Sequence, residues 1–335
     1  MCARDEVTAR SSLPDYVVCP ACSGALERRP GAAACTICGT WYPWRSTIHF
    51  APDVRDEEKA RQQAIYDGRT PDQLSDLPYA DLEAYRRFCA TTTDLIQRHG
   101  VHKARFKALK TRQLLDRLAP GPGERVLDVG SGDGSLLALL TQRYGVHGVG
   151  IDISPAVVER SLQAGFWDHE LYQGDAEDLP FLGGTFDGVV SLDVLEHLPH
   201  PERTIAEAAR VLRPGGWAVF YAVSQRDAYT WHWQQRRLTD DQLGVDRAAG
   251  HRWENFLQPR QARRWMVHAG FVRVQVIPFH ALVTLVLDER LFDFFSALLP
   301  FQPLLGLGLR LAEGADRPLT SRGFGNGFYL LGRAR

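Results

Sequence analysis

The chain has 335 residues, 44% of them hydrophobic and 24% charged, with a formal net charge of -1. That balance excludes a disordered or fibrous chain and leaves room for one large domain plus a smaller unit. Near-neutral charge gives no global attraction to nucleic acid or to an acidic membrane, so any such contact must come from a local patch.

The first residues lack the apolar run of a secretory leader, which predicts a cytoplasmic chain with reduced thiols. Four of the six cysteines, Cys19, Cys22, Cys35 and Cys38, fall in the pattern C-x2-C-x12-C-x2-C. That spacing predicts a closed tetrahedral zinc site of four thiolates, structural rather than catalytic because no position stays open. Cys2 and Cys89 read as ordinary thiols. Residues 1–51 are expected to form this zinc-ribbon domain, ending in the run "TWYPWRSTIHF".

Residues 52–120 read as a helical connector, with apolar residues at helical spacing in "DLEAYRRFCATTTDLIQRHG" and "KARFKALKTRQLLDRLA". Part of it, "AIYDG", is a candidate lid. From residue 121 to 335, strands alternate with helices: "RVLDVG", "VHGVGIDI", "FDGVVSL" and "WAVFYAV" are apolar strand runs, with helical patterns between them. That alternation predicts an α/β fold, a doubly wound, mostly parallel sheet covered on both faces. A long segment between "FVRVQVI" and "GFYLLGRA" exceeds any hairpin loop and predicts a cap, with insertions at about 224–260 and 279–325. Phe294 to Leu309 is charge-free but broken by Pro300 and Pro303. It is too short to span a bilayer, which takes about 20 apolar residues, and reads as a buried cap or a homodimer contact.

Chemistry concentrates where strands meet helices. "VLDVGSGDG" puts Gly130, Gly132 and Gly134 between a strand and a helix, where missing side chains allow a sharp turn and close approach to a ligand. A nicotinamide or flavin site would use a related loop. Asp152 in "GIDIS" ends the next strand, where a carboxylate can accept both hydroxyls of a ribose. Asp175 in "GDAEDLPF" suits an adenine amino group.

With "LDVLEHLPHPERTIAEAARVLRPGG" added, the chain resembles the class I S-adenosylmethionine-dependent methyltransferases, in particular the small-molecule group that includes ubiquinone and menaquinone pathway enzymes. The resemblance is strong over about residues 121 to 225. It implies a seven-stranded Rossmann-like sheet, S-adenosylmethionine as methyl donor and S-adenosylhomocysteine as product. It also implies cofactor contacts at Asp128, Gly130, Gly132, Gly134, Asp152, Ile153, Asp175, Ala176, Leu192 and Asp193, and at Tyr66 in the lid. In related O-methyltransferases a histidine at the position of His197 serves as base, although "EH" could equally cap a helix. The segment after the fifth strand usually meets substrate in this family, which nominates Tyr229, Trp231, His232, Trp233 and His251.

The N-terminal ribbon resembles the partner subunit that activates several tRNA and rRNA methyltransferases. An RNA substrate is therefore an alternative, and "RHGVHKARFKALKTRQ", with six Lys or Arg and no acid, would be its electrostatic footprint. The plainer reading of that run is a solvated helix face carrying Lys103, Lys107 and Lys110. The expectation is methyl transfer to an oxygen, or less favourably a nitrogen, of a small metabolite in natural-product or sugar tailoring. A cofactor-binding scaffold without turnover is the non-enzymatic alternative.

Overall fold

The structure, a computed structural model, describes residues 13–51, 54, 56–68, 82–103, 105–164, 170–230, 233–234, 237, 255–290 and 302–335. Cys2 and the first half of the charge-free stretch that begins at Phe294 lie outside them.

Three short strands, β1 (Leu26–Arg29), β2 (Ala32–Cys35) and β3 (Trp41–Pro43), form an antiparallel sheet around the four cysteines. Three helices follow: α1 (Glu57–Gly68), α2 (Leu82–His99) and α3 (Phe106–Leu118). The sheet domain then runs β4 (Arg125–Val129), α4 (Ser135–Tyr144), β5 (His147–Asp152), α5 (Pro155–Ala164), β6 (Glu170–Gln173), β7 (Phe186–Leu192), α6 (Pro201–Val211) and β8 (Leu212–Val223). It closes with α7 (Pro259–His268), β9 (Phe271–Phe279), α8 (Val283–Arg290), α9 (Gln302–Thr320) and β10 (Gly327–Ala334). The seven strands lie in the order β6-β5-β4-β7-β8-β10-β9, parallel except for β10, which is antiparallel to both neighbours.

The period-2 alternation of each strand divides its side chains between two cores. Leu127, Val129, Val149 and Ile151 face α6 and α7 through Ile205, Ala208, Ala262 and Met266. Val126, Val190 and Val219 face the other way, onto Leu114 and Leu115 of α3 and Leu137 and Leu140 of α4. At "RPGG" the start of β8 forms a bulge. Leu212 pairs with Phe186, then Trp217 with Gly188, and the residues between them are largely exposed.

The ribbon is fastened to the β6 edge. Ile48, Phe50, Tyr42 and Cys35 share one core with Tyr172, Leu179 and Phe181. Phe50 N–H donates to Gln173 O at 2.8 Å and Gln173 N–H to Ile48 O at 3.3 Å, so the end of the ribbon continues the sheet beyond β6. The Gln173 side chain closes the join, accepting from Ala51 N–H at 3.0 Å and donating to Ala51 O at 2.8 Å and Ile153 O at 3.0 Å. A second clasp runs through Val18 N–H to Pro180 O and Leu182 N–H to Tyr16 O, each 2.9 Å. No helix among the described residues is long and apolar enough to cross a membrane.

Candidate functional site

The parallel strands β4, β5, β6 and β7 bring their carboxyl ends to one side of the sheet, where open α/β folds place ligands. A cavity of about 330 Å³ lies there. Gly130 N–H donates to Ile151 O at 2.8 Å, turning the chain out of β4 at φ +75°. A Cβ at Gly130 would stand 2.2 Å from Val194 Cγ2, so only glycine fits. At Gly132, by contrast, a Cβ would meet nothing within 4 Å, leaving open space against the backbone for a ligand.

Acidic groups set the site's electrostatics. Asp152 accepts Gly132 N–H and Ser154 N–H, each at 2.9 Å, yet burial still raises its carboxyl above the ordinary value. Burial raises Asp128 well above its usual range, with repulsion from Asp133 and Asp152 adding to it. Buried carboxylates in this state call for hydroxyl or ammonium donors, which a ribose and an amino group supply. Asp175 accepts Glu177 N–H at 2.9 Å and the Lys59 ammonium at 2.6 Å. Lys59 also reaches Glu177 at 2.8 Å, and the Ser154 hydroxyl donates to Asp67 at 2.6 Å, so α1 is tied down at both ends over this side of the cavity.

Of the residues nominated from sequence, Tyr66, Asp128, Gly130, Gly132, Asp152, Ile153, Asp175, Ala176, Leu192, Asp193 and His197 all line this cavity. Gly134 does not: at φ +72° it opens α4 instead. The Tyr66 ring stands edge-on to His197 at 6.1 Å, and His197 is buried. Tyr229 and Trp233 are not among the described lining residues. Tyr229 is 53% exposed and packs on Trp233 and Phe324, at 5.1 and 5.7 Å between ring centroids. Trp231, His232 and His251 lie outside the described residues.

The three lysines of the basic run before and along α3 are each paired with an acid. Lys103 faces Asp133 at 3.5 Å, Lys107 pairs with Asp193, and Lys110 is buried against Glu313 at 2.5 Å. Local sequence contains no acid in this run, but residues far along the chain supply one for each of these lysines. Sequence reasoning also missed His102, Lys59 and Arg105, all in the cavity wall. The available signal was the interleaving of His102, Lys103, Arg105 and Lys107 with buried Phe106 and Ala108, a pattern suited to a helix roofing a polar cavity.

Burial, with repulsion from Lys103, pushes His102 down to about 3. A histidine lowered on folding contributes stability that is present above its unfolded pKa and lost as pH falls toward the folded one. The protein is therefore expected to lose stability between pH 6.5 and 3, and His102→Gln to flatten that acid limb in denaturant titrations at stepped pH. An unchanged limb would show that other groups carry it.

In the ribbon, the four Sγ atoms lie within 4.8 Å of one another. Cys19 to Cys38 is 3.6 Å and Cys22 to Cys35 is 3.4 Å, close to the roughly 3.8 Å between thiolates on a tetrahedral zinc. The Thr40 hydroxyl draws Cys38 down to about 6, and the N–H groups of Cys38 and Ile37 lower Cys35. Cys22, hydrogen-bonded to Cys35, is pushed up to about 12, so the four thiols do not all ionise unaided. The donor set fits a divalent zinc ion, which displaces such protons.

The family profile described as "Methyltransferase domain" matches residues 101–276, more than half of the chain. The ubiquinone biosynthesis O-methyltransferase of Xylella fastidiosa is 28% identical over 199 residues, 55% of this chain and 76% of that one. That of Hahella chejuensis is 30% identical over 202 residues, 56% of this chain and 79% of the relative. Among solved structures, phosphoethanolamine N-methyltransferase 2 of Haemonchus contortus, in complex with S-adenosyl-L-methionine, superposes with a TM-score of 0.51. It is 16% identical, and the superposition covers 86% of this chain and 61% of that one, which speaks to the fold alone. Glycine loop, sheet order and family match agree, and the chain belongs to the methyltransferase domain family as an S-adenosylmethionine-dependent methyltransferase.

Proposed function

We propose that the chain methylates an oxygen of a small metabolite, in natural-product or sugar tailoring, and that its N-terminal cysteines hold a structural zinc ion. The observation that carries this reading is one cavity lined both by Asp152 and Asp175, at or just after the ends of β5 and β6, and by Leu192, Asp193 and His197, at or after the end of β7. When bound, S-adenosylmethionine supplies a methyl group on a sulfonium whose leaving sulfur needs no proton.

Asp152 would hold the ribose hydroxyls, and the open backbone at Gly132 would admit the rest of the chain toward Leu192 and Asp193. Asp175 and Ala176 would bound the adenine, with Lys59 limiting the freedom of the Asp175 carboxylate. Tyr66 on α1 would close over this assembly and exclude water. A hydroxyl nucleophile needs its proton removed, and His197 is an imidazole in the cavity wall able to receive it. Pairing of the α3 lysines with Asp193 and Glu313 favours a small acceptor over a polyanion, since RNA binding draws on free cations.

His197→Ala is expected to reduce the rate of S-adenosylhomocysteine formation by about 100-fold or more, while affinity for that product stays within about twofold. A normal rate would remove His197 as the base.

A further inference from the structure

The backbone of Lys107 is held on both sides by residues far along the chain. Asp288 of α8 caps α3 from outside the helix, its Oδ1 accepting Phe106 N–H at 2.6 Å and its Oδ2 accepting Lys107 N–H at 3.2 Å. The Tyr329 hydroxyl of β10 donates to Lys107 O at 3.1 Å and lies 2.9 Å from the Thr111 hydroxyl. Lys107 and Thr111 line the cavity, whereas Asp288 and Tyr329 are not among the described lining residues.

The clamp is itself braced. His280 meets Oδ2 of Asp288 at 2.9 Å through Nε2 and the Tyr221 hydroxyl at 3.2 Å through Nδ1. Asp316 of α9 accepts Leu282, Val283 and Thr284 N–H at 3.0, 2.8 and 2.9 Å, which fixes the start of α8. Asp288, Asp316, His280 and Tyr329 are all buried.

What the clamp holds is an ion pair at the cavity wall. The Lys107 ammonium pairs with Asp193 and stands 4.8 Å over the Tyr221 ring. Asp193 sits at φ +57°, in the left-handed region, and its N–H donates to Tyr221 O at 3.0 Å. A strained non-glycine backbone persists only where its surroundings over-determine it. Here Tyr221 holds the backbone and Lys107 the carboxylate. Asp193 follows the end of β7, where the reading above puts the amino-acid end of the cofactor.

We infer that Asp288 and Tyr329 are positioning residues for that end of the cofactor: they fix Lys107, and Lys107 fixes the Asp193 carboxylate. The C-terminal cap thereby shapes the site without entering it. The inference rests on the cavity being the methyl-transfer site.

The test is a double-mutant cycle read by calorimetry with S-adenosylhomocysteine. Asp288→Asn keeps the size of the side chain but offers one acceptor oxygen where the carboxylate offers two. It should weaken binding about tenfold, as should Lys107→Met, which removes the partner of Asp193. Because Asp288 acts through Lys107, the double variant should bind within about threefold of Lys107→Met alone. Additive losses would overturn the inference, as would unchanged affinity in either single variant. Asp187→Asn is the control for loss of a buried carboxylate. Asp187 accepts Arg125 N–H at 2.6 Å near the start of β7, at the far end of the strand from the cavity. Its replacement should lower the melting temperature yet leave affinity within about twofold. A tenfold loss there would assign the Asp288 effect to general loosening and overturn the inference. Tyr329→Phe deletes a single hydroxyl and guards against misfolding of the aspartate variants. Its affinity should fall about threefold, and no change would overturn the inference. Failure of the wild-type protein to bind S-adenosylhomocysteine would strike the methyl-transfer reading, and this inference with it.

Discussion

Asp152→Asn is expected to weaken S-adenosylhomocysteine binding about 100-fold in calorimetry. Hydrogen bonds from hydroxyls to a charged acceptor contribute about 1.5–3 kcal/mol each, and about 2.7 kcal/mol corresponds to a hundredfold change. The asparagine keeps the size of the side chain but loses more than its charge. Both carboxylate oxygens accept backbone N–H groups, Oδ2 from Gly132 and Oδ1 from Ser154. An amide has only one acceptor oxygen, so its nitrogen must face one of those donors and the glycine loop must shift. The melting temperature should therefore fall modestly alongside the affinity. Full affinity in a folded Asp152→Asn protein would remove the carboxylate from the ribose site.

The second large effect is expected on removing zinc, by a strong chelator or by Cys22→Ser with Cys35→Ser. Structural zinc contributes on the order of 10 kcal/mol in isolated zinc-finger peptides. The ribbon has few buried residues of its own and leans on Phe181 and Tyr172 for the rest, so its collapse should uncover that surface. A fall in melting temperature of about 10 °C or more is expected, with increased binding of a hydrophobic dye. Metal analysis should find one zinc per chain before treatment. Cofactor affinity should also drop, because Gln173 links the end of the ribbon at Ala51 to Ile153 in the cavity wall. Loss of the metal with an unchanged melting curve would refute the structural role.

The sheet was legible in sequence for a physical reason. Strands such as Arg125–Val129 and Phe186–Leu192 are buried on both faces, so they read as short apolar runs separated by helical periodicity. Gly130 and Asp152 were legible because strand ends fix where a glycine loop and a carboxylate can meet a ligand. The roof was not. Lys107 meets Asp193 and Lys110 meets Glu313, partners 86 and 203 residues away, and no local pattern encodes such pairings. Hence the lysines of a run that reads as basic and exposed each face an acid. His102 was missed for the same reason, since only the fold shows that it faces a cavity. Tyr229, nominated because its segment usually meets substrate in the resembled family, is not in the cavity wall: at φ +66° it packs on Phe324 and is 53% exposed.

The placement of the ribbon bears on how the protein stays dispersed. An open sheet has two edges, each a row of unsatisfied N–H and C=O groups that can template pairing with another chain. At one edge, β9 guards itself with Arg273, Gln275 and Pro278, and the register shift between Leu331 and Arg333 of β10 disturbs the flat strip. At the other, β6 carries the apolar pair Leu171–Tyr172 between Glu170 and Gln173. Its outer side is covered by Ile48–Phe50, which share a core with Cys19 and Cys35. Oxidation of the cysteines, or loss of a zinc ion held by them, would thus convert a cofactor-proximal strand into an adhesive one, and self-association would follow from a chemical event outside the methyl-transfer site.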